Sequence, residues 1–246
     1  MYGMLTIALL CLTACPAPGR DGEPPRGRVE PSRSAIAASA DASAPSPPMN
    51  TTTDSTPSDP EVEAHMRGLA AEHEHERAQA AQWLEAHPER SRPALRAVVE
   101  RARADNMTHG AIAILGRLGR VEDVALLRTR AAAGGSALAW DAAQALAAHK
   151  TPEALAALVS LLDADDLEVV SAAVVALGSR GQEDGRAHVE RMLTHAEAKI
   201  RYKAVFALDR LGVDPSRAAL EAHRRDERDP DVRTLIDRVL AKPSRP

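Results

Sequence analysis

The stretch IRYKAVFALDRLG (residues 200–212) decides the fold, because its apolar spacing is that of one helix face and recurs along the chain. Ala204 and Leu208 are four residues apart, so their side chains share that face. Each recurs with a period of 31 residues. The two columns are Ala80, Ala111, Ala142, Ala173 and Ala204, and Leu84, Leu115, Leu146, Leu177 and Leu208. A period of this length indicates a repeat protein.

Each period divides into two predicted helices. ALAWDAAQALAAHK (137–150) is the first kind, and it ends near a column that is mostly glycine: Gly119, Lys150, Gly181 and Gly212. TPEALAALVSLLDADD (151–166) is the second kind, with Thr151 as its cap and Pro152 in its first turn. Two helices cannot bury their apolar faces alone, but stacked pairs can. We therefore predict an all-α solenoid of five repeats and a terminal helix over residues 60–246.

The pattern of this unit resembles a HEAT repeat, of the short kind found in phycobilin-lyase-like proteins. The matching positions are Ile200, Arg201, Ala204, Ala207, Leu208, Leu211 and Gly212. A further unit starts at DPDVR (229–233). The resemblance implies a solenoid whose second helices line the concave side. It is specific for fold and weak for function, because function depends on the sites that a fold carries.

The N-terminus predicts export. Residues 4–14, MLTIALLCLTA, carry no charge and are too few to span a bilayer, but they have the length of a secretory signal. Leu12-Thr13-Ala14-Cys15 resembles the lipobox of bacterial lipoproteins. The resemblance implies that residues 1–14 are removed and that Cys15 carries the lipid anchor. Pro16, rather than aspartate, follows that cysteine, which favours the outer over the inner membrane.

Residues 15–59 are predicted to be a disordered tether between this anchor and the solenoid. They hold most of the prolines, interspersed with Ser, Ala and Thr, and no aromatic residue. Such a stretch cannot bury enough apolar surface to offset its ordering entropy. The chain has two cysteines, Cys11 and Cys15. Removal of the first and lipidation of the second would leave no thiol for a disulfide, a metal or nucleophilic catalysis.

The densest group of potential metal ligands is AAEHEHERAQ (70–79), in which His73 and His75 alternate with glutamates. Deoxyhypusine hydroxylase, an enzyme of HEAT type, holds two irons with His-Glu pairs on several repeats. Here such pairs occur in one place only, and helix positions 73 and 75 point to different sides. We therefore expect a solvated helix start, with no metal and no cofactor.

Basic residues do not form the stripe that nucleic-acid binding requires. Lys199, Arg201, Lys203 and Arg210 cluster on one helix, but the whole chain has a net charge of −4. Around residues 224–229 arginines alternate with acids, which predicts a mixed, solvated surface. We expect no nucleic-acid partner.

The few aromatic residues indicate a binding surface instead. Positions two before and two after the repeated alanine point away from the core. They hold Trp140, Tyr202 and Phe206, with Val175 and His109 in the same columns, whereas Trp83 takes a core-side position. Exposed aromatic side chains are typical anchors for a protein partner.

The function predicted from the sequence is therefore a membrane-anchored lipoprotein whose HEAT-repeat domain is a non-catalytic binding or scaffold module at the bacterial cell envelope. Its protein partner is unknown. The alternative is a HEAT-type enzyme or enzyme partner, either bilin-lyase-like or resembling a metal-dependent hydroxylase. A metal assay of the purified protein separates the two.

Overall fold

The computed structural model describes residues 59–134 and 137–243, and in these ranges the chain forms twelve α-helices and no β-strand. The predictions for the signal peptide, Cys15 and the tether up to residue 58 lie outside the described residues. The helices are α1 Pro60–Gly68, α2 Glu74–Ala86, α3 Pro88–Arg101, α4 Asn106–Leu118, α5 Val121–Ala132, α6 Ala137–Ala148, α7 Pro152–Leu161, α8 Leu167–Arg180, α9 Arg186–Arg191, α10 Ala198–Leu211, α11 Arg217–Asp226 and α12 Pro230–Leu240. Short 3-10 turns at Glu183–Gly185, Met192–Thr194 and Asp214–Ser216 adjoin α9 and α11.

The helices form a solenoid in two layers. Helices α2, α4, α6, α8, α10 and α12 pack side by side in chain order, and each second helix of a repeat packs against the first helix of the next repeat. The pairs from α2–α3 to α10–α11 are the five predicted repeats, and α12 is the predicted terminal helix. Helix α1, which packs on α2 and α3, precedes them. The all-α solenoid is thereby confirmed.

The two predicted columns lie in the core. All five leucines are fully buried, and the alanines are no more than 3% exposed. The second helices supply their own buried column, Leu95, Leu127, Leu158, Val189 and Leu220. It slips by one residue between the first two repeats, because His87 alone separates α2 from α3.

The predicted helix ends are present. Gly119 and Gly181 follow α4 and α8 in the left-handed conformation, with φ of 64° and 66°, which glycine adopts without steric cost. The hydroxyl of Thr151 accepts a hydrogen bond from the amide of Ala154 and caps α7. Lys150 takes the glycine position of the third repeat, and its ammonium group donates to the carbonyl oxygen of Arg180 in the next one.

A recurring arginine fixes the loop before its own helix. Arg77 donates to two carbonyl oxygens five and six residues before it, at 2.7 and 2.9 Å, and Arg201 does the same at 2.8 and 3.0 Å. Arg233 donates to the carbonyl oxygen of Glu227 in the corresponding loop. The interaction is local to each unit, which explains why the repeat tolerates other residues at this position.

Helices α8 and α10 are in close contact at Gly178 and Ala207. A Cβ atom on Gly178 would lie 2.7 Å from the Cα atom of Ala207, and Gly116 meets Ala145 in α6 in the same way. Only a residue without a side chain fits at such distances. This close contact fixes the position of α10 relative to α8.

Both ends of the solenoid have polar outer sides. In α1, Val62 and Met66 face the core, and the exposed positions include Glu61, Glu63 and Arg67. In α12 the buried residues are Val232, Leu235, Ile236 and Val239, and the exposed ones include Asp231, Arg233, Asp237 and Arg238. Polar end helices are the usual caps of a repeat array. Apolar contact surface is therefore found on the sides of the solenoid rather than at its ends.

Candidate functional site

Three aromatic side chains stand at the outward positions of α6 and α10. Trp140 is 36% exposed, Tyr202 37% and Phe206 39%. We call these three residues the aromatic strip. The other large apolar side chains with comparable exposure in the described residues are Val121 and Leu167, which lie at helix starts. Tyr202 and Phe206 are four residues apart on α10 and so are neighbours on one helix face.

Val175 does not belong to this exposed surface. It was predicted to face solvent between Trp140 and Phe206, but it is only 7% exposed, so that prediction is wrong. Its helix, α8, packs between α6 and α10, and every residue from 169 to 178 is buried. A short side chain on a helix flanked on both sides is shielded by longer ones. Val175 is therefore part of the floor beneath the strip.

Ser171 is the second floor residue, and its hydroxyl has no partner. It lies 31 residues after Trp140 and 31 before Tyr202, so it takes the same outward position on α8. The residue is 1% exposed, and no hydrogen-bonding group among the described residues reaches its Oγ atom. Buried polar groups are nearly always paired, so an unpaired one requires an explanation.

We expect Ser171→Ala to raise the free energy of unfolding by about 1 kcal/mol. Alanine removes a buried donor without a partner and is the better helix former. Ser160→Ala is the matched control, because the exposed Ser160 donates to the carbonyl oxygen of Ala157. Denaturant unfolding measures both. A loss of stability at position 171 would show that the hydroxyl is paired in solution.

An open groove of about 450 Å³ runs beside Tyr202, between α10 and α12. Leu235 and Val232 form its apolar part, and Lys199, Asp231 and Arg238 are among its polar residues. The groove extends the strip towards the C-terminal end of the solenoid.

On the other side of the strip, His109 in α4 is paired with Asp141 in α6, through its Nδ1 atom and a carboxylate oxygen. Both side chains are about one-third exposed. His109 occupies the outward column, as predicted, and the ion pair joins two neighbouring repeats. The strip is thus bordered by a polar contact next to Trp140.

His73 and His75 differ from their predicted arrangement. Their rings stack with centroids 5.7 Å apart instead of pointing to different sides. The reason is that α2 begins at Glu74, so that His73 lies before the helix in an extended conformation. Within residues 59–134 and 137–243, no three His, Cys, Asp or Glu side chains are placed to hold a metal ion.

Trp83 packs against the core and is half-buried, beside the N-terminal helix. Its ring stacks against His65 of α1 and against His87, each with ring centroids 4.2 Å apart. The guanidinium of Arg90 lies 5.1 Å from the ring centroid and also pairs with Asp59. These contacts fasten α1 to the first repeat.

Arg201 and Glu227 form a buried ion pair near the C-terminus, where the sequence predicts a solvated surface. Glu227 is 3% exposed and accepts two hydrogen bonds from Arg201, at 2.7 and 2.8 Å. The Nε2 atom of His223 lies 2.7 Å from the same carboxylate, and the amide of Asp229 donates to it at 2.8 Å. The hydrogen bonds from Arg201 chiefly lower the pKa of Glu227 to about 2.

The described part of the chain contains no helix that is both long and apolar enough to span a bilayer. A comparison with curated proteins finds no relative that matches this chain. The family model described as HEAT repeats matches residues 135–209, which run from α6 to α10 and include the aromatic strip.

The solved structures that are similar to this chain include the following three. The complex of CpcE and CpcF of phycocyanin lyase from Nostoc is 23% identical and covers 71% of this chain and 74% of its own, with a TM-score of 0.42. A designed armadillo repeat protein in complex with the peptide (KR)4 is 16% identical, with coverages of 73% and 98% and a TM-score of 0.42. Human deoxyhypusine hydroxylase is 17% identical, with coverages of 74% and 95% and a TM-score of 0.38. The chain is an α-solenoid in which residues 135–209 match the model of HEAT repeats.

Proposed function

We propose that this chain is a lipoprotein of the bacterial cell envelope whose helical domain binds a protein partner and catalyses no reaction. The aromatic strip is the observation that carries the proposal. Trp140, Tyr202 and Phe206 leave more than a third of their surface exposed in a chain with only five aromatic residues. Large aromatic side chains on a surface are the usual anchors of protein interfaces.

The architecture supports binding through this side of the solenoid. The polar ends leave the sides of the solenoid for binding, and the exposed aromatic side chains lie on the outward faces of the first helices. The strip also stands on rigid elements, since every residue of α8 from 169 to 178 is buried and Gly178 lets α10 pack against it. A surface held in this way loses little conformational entropy when a partner binds.

We expect the double variant Trp140→Ser and Phe206→Ser to keep the fold and to lose its partner. Both rings lie at the edge of the core with more than a third of their surface exposed, so we expect their removal to lower the melting temperature without unfolding the domain. Truncating an interface anchor weakens binding by about 2 kcal/mol or more. The measurement is a melting curve beside a pull-down from envelope fractions. Val121→Ser is the control, because Val121 is exposed on α5 in the other layer.

A double variant that stays folded and captures the partner as before would eliminate the strip as the binding site. Unfolding of the double variant, with the control intact, would mean that the two rings belong to the core. Either result contradicts the proposal.

The anchor is the second part of the proposal and rests on the LTAC motif at residues 12–15. We expect Cys15→Ser to prevent lipidation and maturation at this site and to remove the protein from the lipid fraction. Cys11→Ser is the matched control, since Cys11 lies within the predicted signal peptide. Membrane fractionation with a labelled fatty acid reports the result. A Cys15→Ser protein that still matures and stays with membranes would refute the anchor.

A further inference from the structure

The outward face of α10 interleaves aromatic rings with cations. Tyr202 and Phe206 share this face with Lys199, Lys203 and Arg210, because these positions recur at helical spacing. Arg238 of α12 lies across the groove beside Tyr202. One half of the aromatic strip is therefore set among positive charges, although the chain as a whole is negative.

Most of these cations have no acidic partner. Lys199 pairs with Glu168, but within the described part of the chain Lys203, Arg210 and Arg238 have no carboxylate oxygen within 4.0 Å. On α4, by contrast, the surface arginine Arg117 is paired with Glu85.

The acids beside the strip are largely occupied. Asp141 pairs with His109, and Asp229 accepts from the first amides of α12. Within the described part of the chain, Asp229 and Asp231 line the groove as carboxylates without an ion pair, against three unpaired cations. The net unmatched charge beside the strip is positive.

Two further groups at the strip are hydrogen-bond donors without acceptors. The hydroxyl of Ser171 is buried between Trp140 and Tyr202 and is unpaired. The Nε2 atom of Gln144, in the column of Phe206, is likewise buried without a partner. Because both atoms are closed off from solvent, a complementary partner meets only the cations, to which it supplies negative charge.

We infer that the strip takes an acidic protein segment, one in which carboxylates flank a large apolar anchor side chain. The inference rests on the proposed function, that the strip binds a protein, and names the chemistry of that partner. The anchor packs on Tyr202 and Phe206, the rest of the segment runs across α8 to Trp140, and the carboxylates meet Lys203 and Arg238. Complementary charge of this kind selects partners and speeds their association.

The other possible occupants fit less well. Anchoring in a lipid interface buries an apolar face about 5–10 Å deep, but these rings are mostly packed against the domain and do not project as a wedge. A second copy joined by two-fold symmetry would set the same unpaired cations against each other. An acidic segment is the occupant that the charges favour.

Selection from a random displayed-peptide library on the whole chain tests the inference, with the Trp140→Ser and Phe206→Ser variant for counter-selection. We expect enriched peptides to combine Asp or Glu with Trp, Phe or Leu, and their affinity to fall with rising salt. The charge reversals Lys203→Glu and Arg238→Glu together should weaken binding at least about tenfold. Arg128→Glu, an exposed cation on α5, is the matched control and should bind as wild type does.

Enrichment of neutral or basic peptides that need the strip would overturn the acidic chemistry and leave protein binding at the strip intact. Peptides that ignore both strip and cations, or no enrichment at all, would overturn the inference. If the strip variant also keeps its envelope partner in the pull-down, the proposed function fails as well. Binding of phosphatidylglycerol vesicles without peptide binding, or a dimer lost in the strip variant, would replace the inferred partner by a lipid surface or a second copy.

Discussion

Replacing Leu146 by alanine is expected to lower the free energy of unfolding by about 2–5 kcal/mol. Leu146 is fully buried in α6, which packs between α4 and α8 at the middle of the solenoid. Truncation removes buried methyl groups and leaves a cavity that the neighbouring helices fill only in part. Denaturant unfolding followed by circular dichroism measures the loss.

Leu167→Ala is the matched control for this prediction, because Leu167 begins α8 with 37% of its surface exposed. We expect it to change stability by no more than about 1 kcal/mol, since little burial is lost. Equal effects at the two leucines would show that the repeat register assigned here is misplaced.

Replacing Glu227 by glutamine is expected to cost about 3–5 kcal/mol at neutral pH. The variant leaves the guanidinium of Arg201, itself only 15% exposed, without a negative charge in a buried position. The loss should be greatest for the packing of α12 on the fifth repeat, which this ion pair joins. Asp237→Asn, in the exposed pair with Arg224, is the control and should cost less than about 1 kcal/mol.

The same ion pair predicts a pH dependence with a definite sign. The pKa of Glu227 is about 2 in the folded chain, below its ordinary value of 4.5. A carboxylate whose pKa is lower in the folded than in the unfolded chain stabilises the fold at pH values above its unfolded-state pKa. That stabilisation is lost as the pH falls through the folded-state pKa. The gap in stability between wild type and Glu227→Gln should therefore narrow from pH 4.5 towards pH 2. Parallel curves over that range would contradict the role given to Glu227.

The repeat architecture was predictable because it depends on local rules that act identically in every unit. The columns through Ala142 and Leu146 follow from helix geometry, and the structure buries both residues fully. The ends of α4 and α7 follow from Gly119 and Thr151 in the same way. The period of 31 and the conformational preferences of single residue types are sufficient to predict these features.

The exposure of the strip was predictable in part. Helix geometry placed Trp140, Tyr202 and Phe206 outward, because a side chain opposite the core face has no neighbour in its own repeat. It failed for Val175, since exposure also depends on the size of side chains in the adjacent repeats. The signal was present in α8 itself, whose sequence is apolar on every side.

The buried Glu227 network was not predictable from the repeat columns. Arg201 and Glu227 are 26 residues apart, so their contact does not follow the period of 31. Local composition around residues 224–229 is highly charged and indicates a solvated surface, which holds for Arg224 but not for Glu227. Only the packing of α12 decides which of these charges is enclosed.

Photo-crosslinking in living cells tests directly whether a partner binds to the aromatic strip. A photoreactive residue is placed at Tyr202 on the strip in one strain and at Ala156, exposed on α7 in the other layer, in a second. We expect a discrete crosslinked partner protein from position 202 and none from position 156. A partner captured at position 156 and not at position 202 would contradict this expectation and move the binding site to the layer of second helices.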